Sequence, residues 1–160
     1  MPKQSAGLLL FRRRDSGIEF FLVHPGGPFW AKKDLLAWSI PKGEYGEDEE
    51  PLAAALREFE EETGYSALGS LPPERFLSLG SIRQNGGKVV TAWAVEFDVD
   101  PAQVVSNLTE IEWPPRSGRR ICIPEVDRAA WFPILEARTR ILAAQQQFLD
   151  RLTETLAGRA

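Results

Sequence analysis

Residues 43–65 read GEYGEDEEPLAAALREFEEETGY, and everything else in the chain is organised around this stretch. It begins as a flexible acidic loop and closes as a short helix that stops at Gly64. Pro51 is at home in a first helical turn, and the acidic run before it suits the positive end of the helix dipole. Gly64 is the natural residue to end such a helix in a left-handed turn. At about 3.6 residues per turn, Leu52, Leu56, Phe59 and Thr63 fall on one side of the helix. Glu58, Glu61 and Glu62, at i, i+3 and i+4, share the opposite side. Like charges at that spacing weaken an isolated helix by roughly a few tenths of a kcal/mol per pair. Two readings follow. One is a solvated acidic face. The other is a set of hard oxygen ligands whose repulsion is reversed by binding Mg²⁺ or Mn²⁺.

The spacing around the helix separates the two. Gly43, five residues, Glu49, seven residues and then Arg57-Glu58-Phe59-Glu60-Glu61-Glu62-Thr63-Gly64-Tyr65 resembles the Nudix box, G-x5-E-x7-R-E-U-x-E-E-x-G-U, with U an apolar residue. Every fixed position is met, and Tyr65 stands where an aliphatic residue is more usual. The resemblance implies an α/β fold, an α/β/α sandwich around a mixed sheet with the box helix packed on it, as one domain over residues 1–160. It implies metal-dependent hydrolysis of a phosphoanhydride bond, by attack of water on phosphorus, with Mg²⁺ or Mn²⁺ as the cofactor. The implied metal ligands are Glu58, Glu61, Glu62 and the backbone carbonyl of Lys42. Arg57 and Glu49 are implied to orient Glu58. A further glutamate from a late loop, a few residues before a tryptophan that opens the final strand, is implied as ligand or general base. Glu125, six residues before Trp131, is the candidate, with Glu110, Glu112 and Asp127 competing. The plainer alternatives stay open: Arg57 paired with Glu61 on the surface, Glu49 as a helix-dipole residue, Gly43 as a turn residue, and Glu125 paired with Arg128.

Pro41-Lys42-Gly43 precedes the box where many relatives have Pro-Gly-Gly. That variant is similar to the branch acting on dinucleoside polyphosphates, in which a further cation would hold additional phosphates. The tyrosine that this branch carries after the box has no counterpart: Gly80, Ser81 and Ile82 occupy that region. Lys42, Arg116 in the basic stretch Trp113–Arg120, and Trp38 are the candidate substrate contacts, with Trp93 a second candidate for stacking on a base. The competing functions are hydrolysis of nucleotide sugars, ADP-ribose or nucleoside triphosphates, a nucleotide-sensing module without turnover, and a plain interaction domain.

Bulk properties narrow the field further. The 160 residues suit one domain with a real core, and the net charge of −4 argues against a nonspecific nucleic-acid binder. The resemblance implies a small-molecule nucleotide as the partner, and no stable nucleic-acid partner, no membrane and a monomeric or homodimeric state are expected. One cysteine, Cys122, excludes an internal disulfide and fits a reducing cytoplasm. It lies in an Ile-Cys-Ile run and reads as a small core residue. Nothing approaches the roughly 20 apolar residues of a membrane span. In order, strands are expected at 5–12 and 18–23, a turn at 24–28, a short strand at 35–40, the box helix, a hairpin of 74–83 and 88–97 about Asn85-Gly86, short strands at 121–123 and 130–132, and helices at 133–142 and 145–156. His24, the one histidine, reads as structural at a strand end.

Overall fold

A computed structural model of the chain describes residues 2–158. Eight strands and three α-helices follow in order. They are β1 (Gln4–Arg14), β2 (Gly17–Pro25), β3 (Lys42–Glu44), α1 (Pro51–Thr63), β4 (Leu77–Arg83), β5 (Val89–Glu96), β6 (Leu108–Glu112), β7 (Arg120–Pro124), β8 (Val126–Pro133), α2 (Ile134–Arg140) and α3 (Gln146–Ala157). The main sheet has the order β4-β5-β1-β2-β8. Only β1 and β5 run parallel, so the sheet is mixed.

The organising strand is β1. On one edge it pairs with β5 from Gln4 to Phe11. Its other edge is divided: Ser5–Gly7 pair with β3, and Phe11–Arg14 pair with β2. The sheet forks there, and the fork opens beside the box. Alternate side chains of β1 serve two cores, since successive residues of a strand point to opposite faces. Ala6, Leu8 and Leu10 pack with Phe21, Ala54, Ala55 and Phe59 under α1. Leu9 and Phe11 pack with Phe20, Leu22, Phe148 and Leu152 under α2 and α3. This is why β1 and β2 read as continuous apolar runs rather than alternating ones. The result is an α/β/α sandwich.

The box helix has the expected limits. Glu50 caps it by accepting from Ala53 N, and Gly64 ends it at φ 83°. Its buried face differs from the expected stripe. Ala54, Ala55, Glu58, Phe59, Glu62 and Thr63 are buried, while Leu52 and Leu56 are only half-buried. Glu58 and Glu62 therefore lie at the margin of the packed face and not opposite it. On α3, Phe148, Leu149, Leu152 and Leu156 are all buried, as the periodicity predicts.

Elsewhere the structure corrects the sequence reading. Residues 35–40 form no strand. Their hydrogen bonds are split between Val23, on β2, and Arg140 and Leu142, at and just past the end of α2, and Leu36 sits at φ 54°, which breaks the extension. The first strand of the expected hairpin starts at Leu77, because Pro73–Arg75 coil into a 3-10 turn. Leu108–Glu112 is a strand that periodicity did not signal. It pairs only with β7, in a two-stranded ribbon outside the main sheet. Cys122 lies on that ribbon and is exposed, so it is not a core residue. No helix among the described residues is long and apolar enough to cross a membrane.

Candidate active site

Three backbone segments meet at the fork. The first is α1, which carries Glu58 and Glu62, respectively 8% and 9% exposed. The second is β3, whose Lys42 N donates to Glu62 Oε1 at 3.3 Å. The third is the junction of β7 and β8, which presents Glu125. Main-chain bonds tie this junction to the helix. Val105 N and Asn107 N donate to the carbonyls of Thr63 and Glu61, at 2.9 Å each, and so use acceptors that a helix end leaves open. Asn107 O then accepts from Glu125 N at 3.0 Å, and Glu125 O accepts from Gly26 N at 3.0 Å. Glu125 is thus held by backbone on both sides.

Gly43 explains how a buried carboxylate fits here. Its φ is not left-handed, so no turn demands a glycine. A Cβ at this position would instead overlap the Glu58 carboxylate. The residue is needed for room, which replaces the turn-residue reading.

Glu58, Glu62 and Glu125 each offer an oxygen, and these oxygens lie within 4.8 Å of one another. Burial is the main cause that raises all three carboxyls above their ordinary range. Glu62 is pushed up to about 8, by burial first and then by the charge of Glu125, against the opposing pull of Lys42. Burial and neighbouring Lys88 lower Lys42, whereas Glu62, Glu44 and Glu58 act to raise it. Hard oxygens in excess of nearby positive charge are the donor set that suits Mg²⁺ or Mn²⁺. The residues present therefore fit a divalent cation held by Glu58, Glu62 and Glu125.

Arg57 lies on the outer side of the same helix. It grips Glu49 with two bonds, from Nε to Oε2 at 2.8 Å and from Nη2 to Oε1 at 2.9 Å. Its Nη1 donates to Glu58 Oε1 at 2.9 Å and to Glu61 Oε2 at 3.2 Å. Its guanidinium is held above its ordinary pKa, first by the bond to Glu49, and Glu49 is lowered by the same bond. The expected orienting contact of Arg57 and Glu49 on Glu58 is therefore present as geometry. Glu61 differs. It is turned to Arg57, at i+4, and does not join the three converging carboxylates.

The competitors of Glu125 are engaged elsewhere. Glu110 pairs with Arg120, Glu112 accepts from Arg116 N and Gly118 N, and Asp127 faces His24. Two expected substrate contacts are not brought to the site. Trp38 is only 3% exposed, donates its indole N–H to Asp34, packs against His24 and Phe132, and does not line the cleft that Lys42, Glu62 and Glu125 share. Arg116 stands exposed in the loop joining β6 to β7 and does not line the cleft. The cleft, about 240 Å³, is lined by Lys42, Glu62 and Glu125 together with Trp30, Ser39 and Gln84. Trp30 and Gln84 were not anticipated. The signal for Trp30 was the interleaving of aromatic and basic residues in Phe29-Trp30-Ala31-Lys32-Lys33.

A sequence model of the NUDIX domain matches residues 1–152. The chain belongs to the NUDIX family. Among curated Nudix relatives, an RNA pyrophosphohydrolase of Rhizobium meliloti is 31% identical over 109 residues, 62% of this chain and 60% of that protein. The aligned part thus spans less than two thirds of that relative. An asymmetrical bis(5'-nucleosyl)-tetraphosphatase of Rattus norvegicus is 32% identical over 110 residues, 62% of this chain and 71% of that protein. Among solved Nudix structures, a binary complex of the C. elegans Ap4A hydrolase superposes with a TM-score of 0.64 at 22% identity, covering 98% of both chains. That likeness carries the fold.

Proposed function

We propose that this Nudix domain is a divalent-metal-dependent hydrolase of phosphoanhydride bonds in nucleotide polyphosphates, with a dinucleoside polyphosphate as the favoured substrate. The observation that carries this reading is the convergence of Glu58 and Glu62, from α1, with Glu125, from the junction of β7 and β8, at a cleft that Glu62 and Glu125 line. The tetraphosphatase and pyrophosphohydrolase relatives support it, and Lys42 beside the carboxylates supports a substrate with several phosphates.

A bound divalent cation would neutralise charge on the phosphate oxygens and acidify the attacking water. The chain supplies the remainder. Lys42 faces the phosphates as a point charge. Arg57, itself held by Glu49, fixes the rotamer of Glu58. Glu125, which comes from the junction of β7 and β8 and not from α1, would give one oxygen to the cation and serve with the other as general base for water. The attacking water loses its proton to this carboxylate as its oxygen bonds to phosphorus, and the bridging oxygen leaves with the departing phosphate.

The Rhizobium relative favours a second reading, removal of pyrophosphate from an RNA 5' end. Both are tested by one panel: dinucleoside tetraphosphate, 5'-triphosphorylated RNA, nucleoside triphosphate, ADP-ribose and nucleotide sugars, each with Mg²⁺, Mn²⁺ or EDTA. The expected result is metal-dependent turnover that is fastest on the dinucleoside tetraphosphate. Turnover that survives complete chelation overturns the metal mechanism. Metal and nucleotide binding without turnover selects the sensing module.

A further inference from the structure

His24 is the one histidine of the chain, and its side chain is wholly buried near the end of β2. Both ring nitrogens are engaged. Nε2 lies 2.5 Å from the Lys33 carbonyl oxygen, and Nδ1 lies 2.7 Å from Asp127 Oδ1. A carbonyl and a carboxylate only accept, so each contact needs a proton on the ring. The ring therefore meets both as a cation, balanced by the carboxylate it touches. A buried charge without such a partner would be costly. The hydrolytic chemistry leaves this group unused.

Asp127 is not an ordinary strand residue. From Glu19 to His24, β2 and β8 pair one residue to one, and His24 pairs with Arg128, but Pro25 pairs with Val126. Asp127 is thus the extra residue of a bulge. Bulges bend a strand and re-aim the side chains beside them. Two residues before this bulge stands Glu125. Gly26 N, two residues past His24, donates to Glu125 O at 3.0 Å. The backbone just after His24 therefore holds Glu125, while the His24 ring holds Asp127. The segment Glu125–Asp127 is tied at both ends.

The other ring nitrogen reaches a different wall of the cleft. Lys33 N donates to Trp30 O at 2.9 Å, so Trp30–Lys33 is a closed turn, and His24 anchors the carbonyl at its end. Trp30 and Glu125 both line the cleft. One buried ring thus joins two cleft-lining segments that lie far apart in sequence. Arg128 is the other charged group at the pair, exposed and 3.9 Å from Asp127 Oδ1.

We propose that His24 is a positioning residue for Glu125: its ring, donating from both nitrogens, clasps the Asp127 bulge and so sets the carboxylate that completes the cation site. The proposal rests on the metal-site reading of Glu58, Glu62 and Glu125, and its main readouts need no turnover. With a single histidine, isotopic labelling of histidine nitrogen gives a ring spectrum of this residue alone. Wild type should show two ring N–H protons near neutral pH. Asp127→Asn should show one, because the amide can donate to a bare Nδ1 and keep the clasp. The second readout is the Kd of Mn²⁺ by calorimetry. Asp127→Ala and His24→Phe should weaken it by about 10- to 100-fold, the scale for groups that orient a ligand. Asp127→Asn and the control Arg128→Ala should stay within about 2-fold of wild type. The Asp127 side chain is 32% exposed, so its truncation opens no core even if His24→Phe fails to fold. In a Glu125→Gln background, Asp127→Ala should cost less than about 2-fold further, because its effect runs through that carboxylate. A single ring N–H in wild type, or an equal loss from Asp127→Ala with and without Glu125, overturns the clasp. Turnover of diadenosine tetraphosphate with Mn²⁺ affinity indifferent to Asp127→Ala also removes the clasp and leaves the hydrolase standing. Mn²⁺ affinity that follows the expected pattern in a protein without turnover keeps the clasp and removes the hydrolase.

Discussion

Two neighbourhoods of carboxylates share one helix and one residue. On the outer side of α1, Glu49, Glu58 and Glu61 all reach Arg57, which is 39% exposed. On the inner side, Glu58, Glu62 and Glu125 face one another, with Lys42 the nearby cation that opposes their charge. Each group sets three carboxyls against one cation. The outer group is bonded directly to its cation and lies mostly in water, where such pairs are worth little. The inner group is buried, and its carboxyls are raised in consequence. Charge paired in water holds a shape. Charge kept out of water by the fold is a cost that a bound cation removes. Glu58 belongs to both groups, so the inexpensive network positions a member of the costly one.

The largest test of this contrast is on the inner side. Glu58→Gln, Glu62→Gln and Glu125→Gln should each lower kcat by about 10²–10⁴, measured at saturating metal. Each should also leave the metal-free protein as stable as wild type or more so, because a like charge has been removed. For Glu125→Gln the rate should recover in part as pH rises, since hydroxide replaces the lost base. Wild-type kcat in all three would make the cluster ornamental.

A smaller effect belongs to the outer side. Glu49→Gln frees Arg57 without touching the converging oxygens, and should cost about 10- to 100-fold in activity or metal affinity, the scale for residues that orient a ligand. Higher Mg²⁺ should recover part of the loss. If Glu49→Gln costs as much as Glu62→Gln, the division into two groups fails.

The smallest effect is thermodynamic. The folded Glu62 carboxyl titrates near 8, against about 4.5 for an ordinary glutamate. Between those values the folded chain keeps a proton that the unfolded chain has released. The stabilisation is thus complete below about 4.5 and is lost as pH rises through about 8. The metal-free Tm should fall by several degrees from pH 5 to 8, at about 2–4 °C per kcal/mol for a domain of this size. Glu62→Gln should flatten the slope, and Mg²⁺ should oppose it. A Tm that rises over this interval would place the dominant linked group elsewhere.

Much of this was legible from the sequence because the signals were local. The box helix shows its proline at one end and its glycine at the other, and β1 and β2 show apolar runs that only two cores can bury. What was missed depends on contacts far along the chain. Leu108–Glu112 has its two apolar residues three apart and pairs in a ribbon that buries little, so no alternation marked it. Cys122 sits between isoleucines yet faces outward on the same ribbon. Glu61 has the spacing of a metal ligand, and in the metal-free chain it lies against Arg57, which the sequence offered as a plainer alternative. Trp30 outranks Trp38 at the cleft because the loop after β2 folds back on His24, which no periodicity reveals.

Gly43 carries a consequence of a different kind. It and Glu58 occupy what is sterically a single volume, although a loop and two turns of helix separate them in the chain. Mutations at the two positions should therefore be inherited as a pair rather than as independent events. Gly43→Ala displaces a carboxylate only where one is present, so its effect should largely vanish in a Glu58→Ala background. A descendant that abandoned Glu58 would be released from the glycine as well. In one that kept Glu58, the absence of a side chain at position 43 would be under the same selection as that carboxylate.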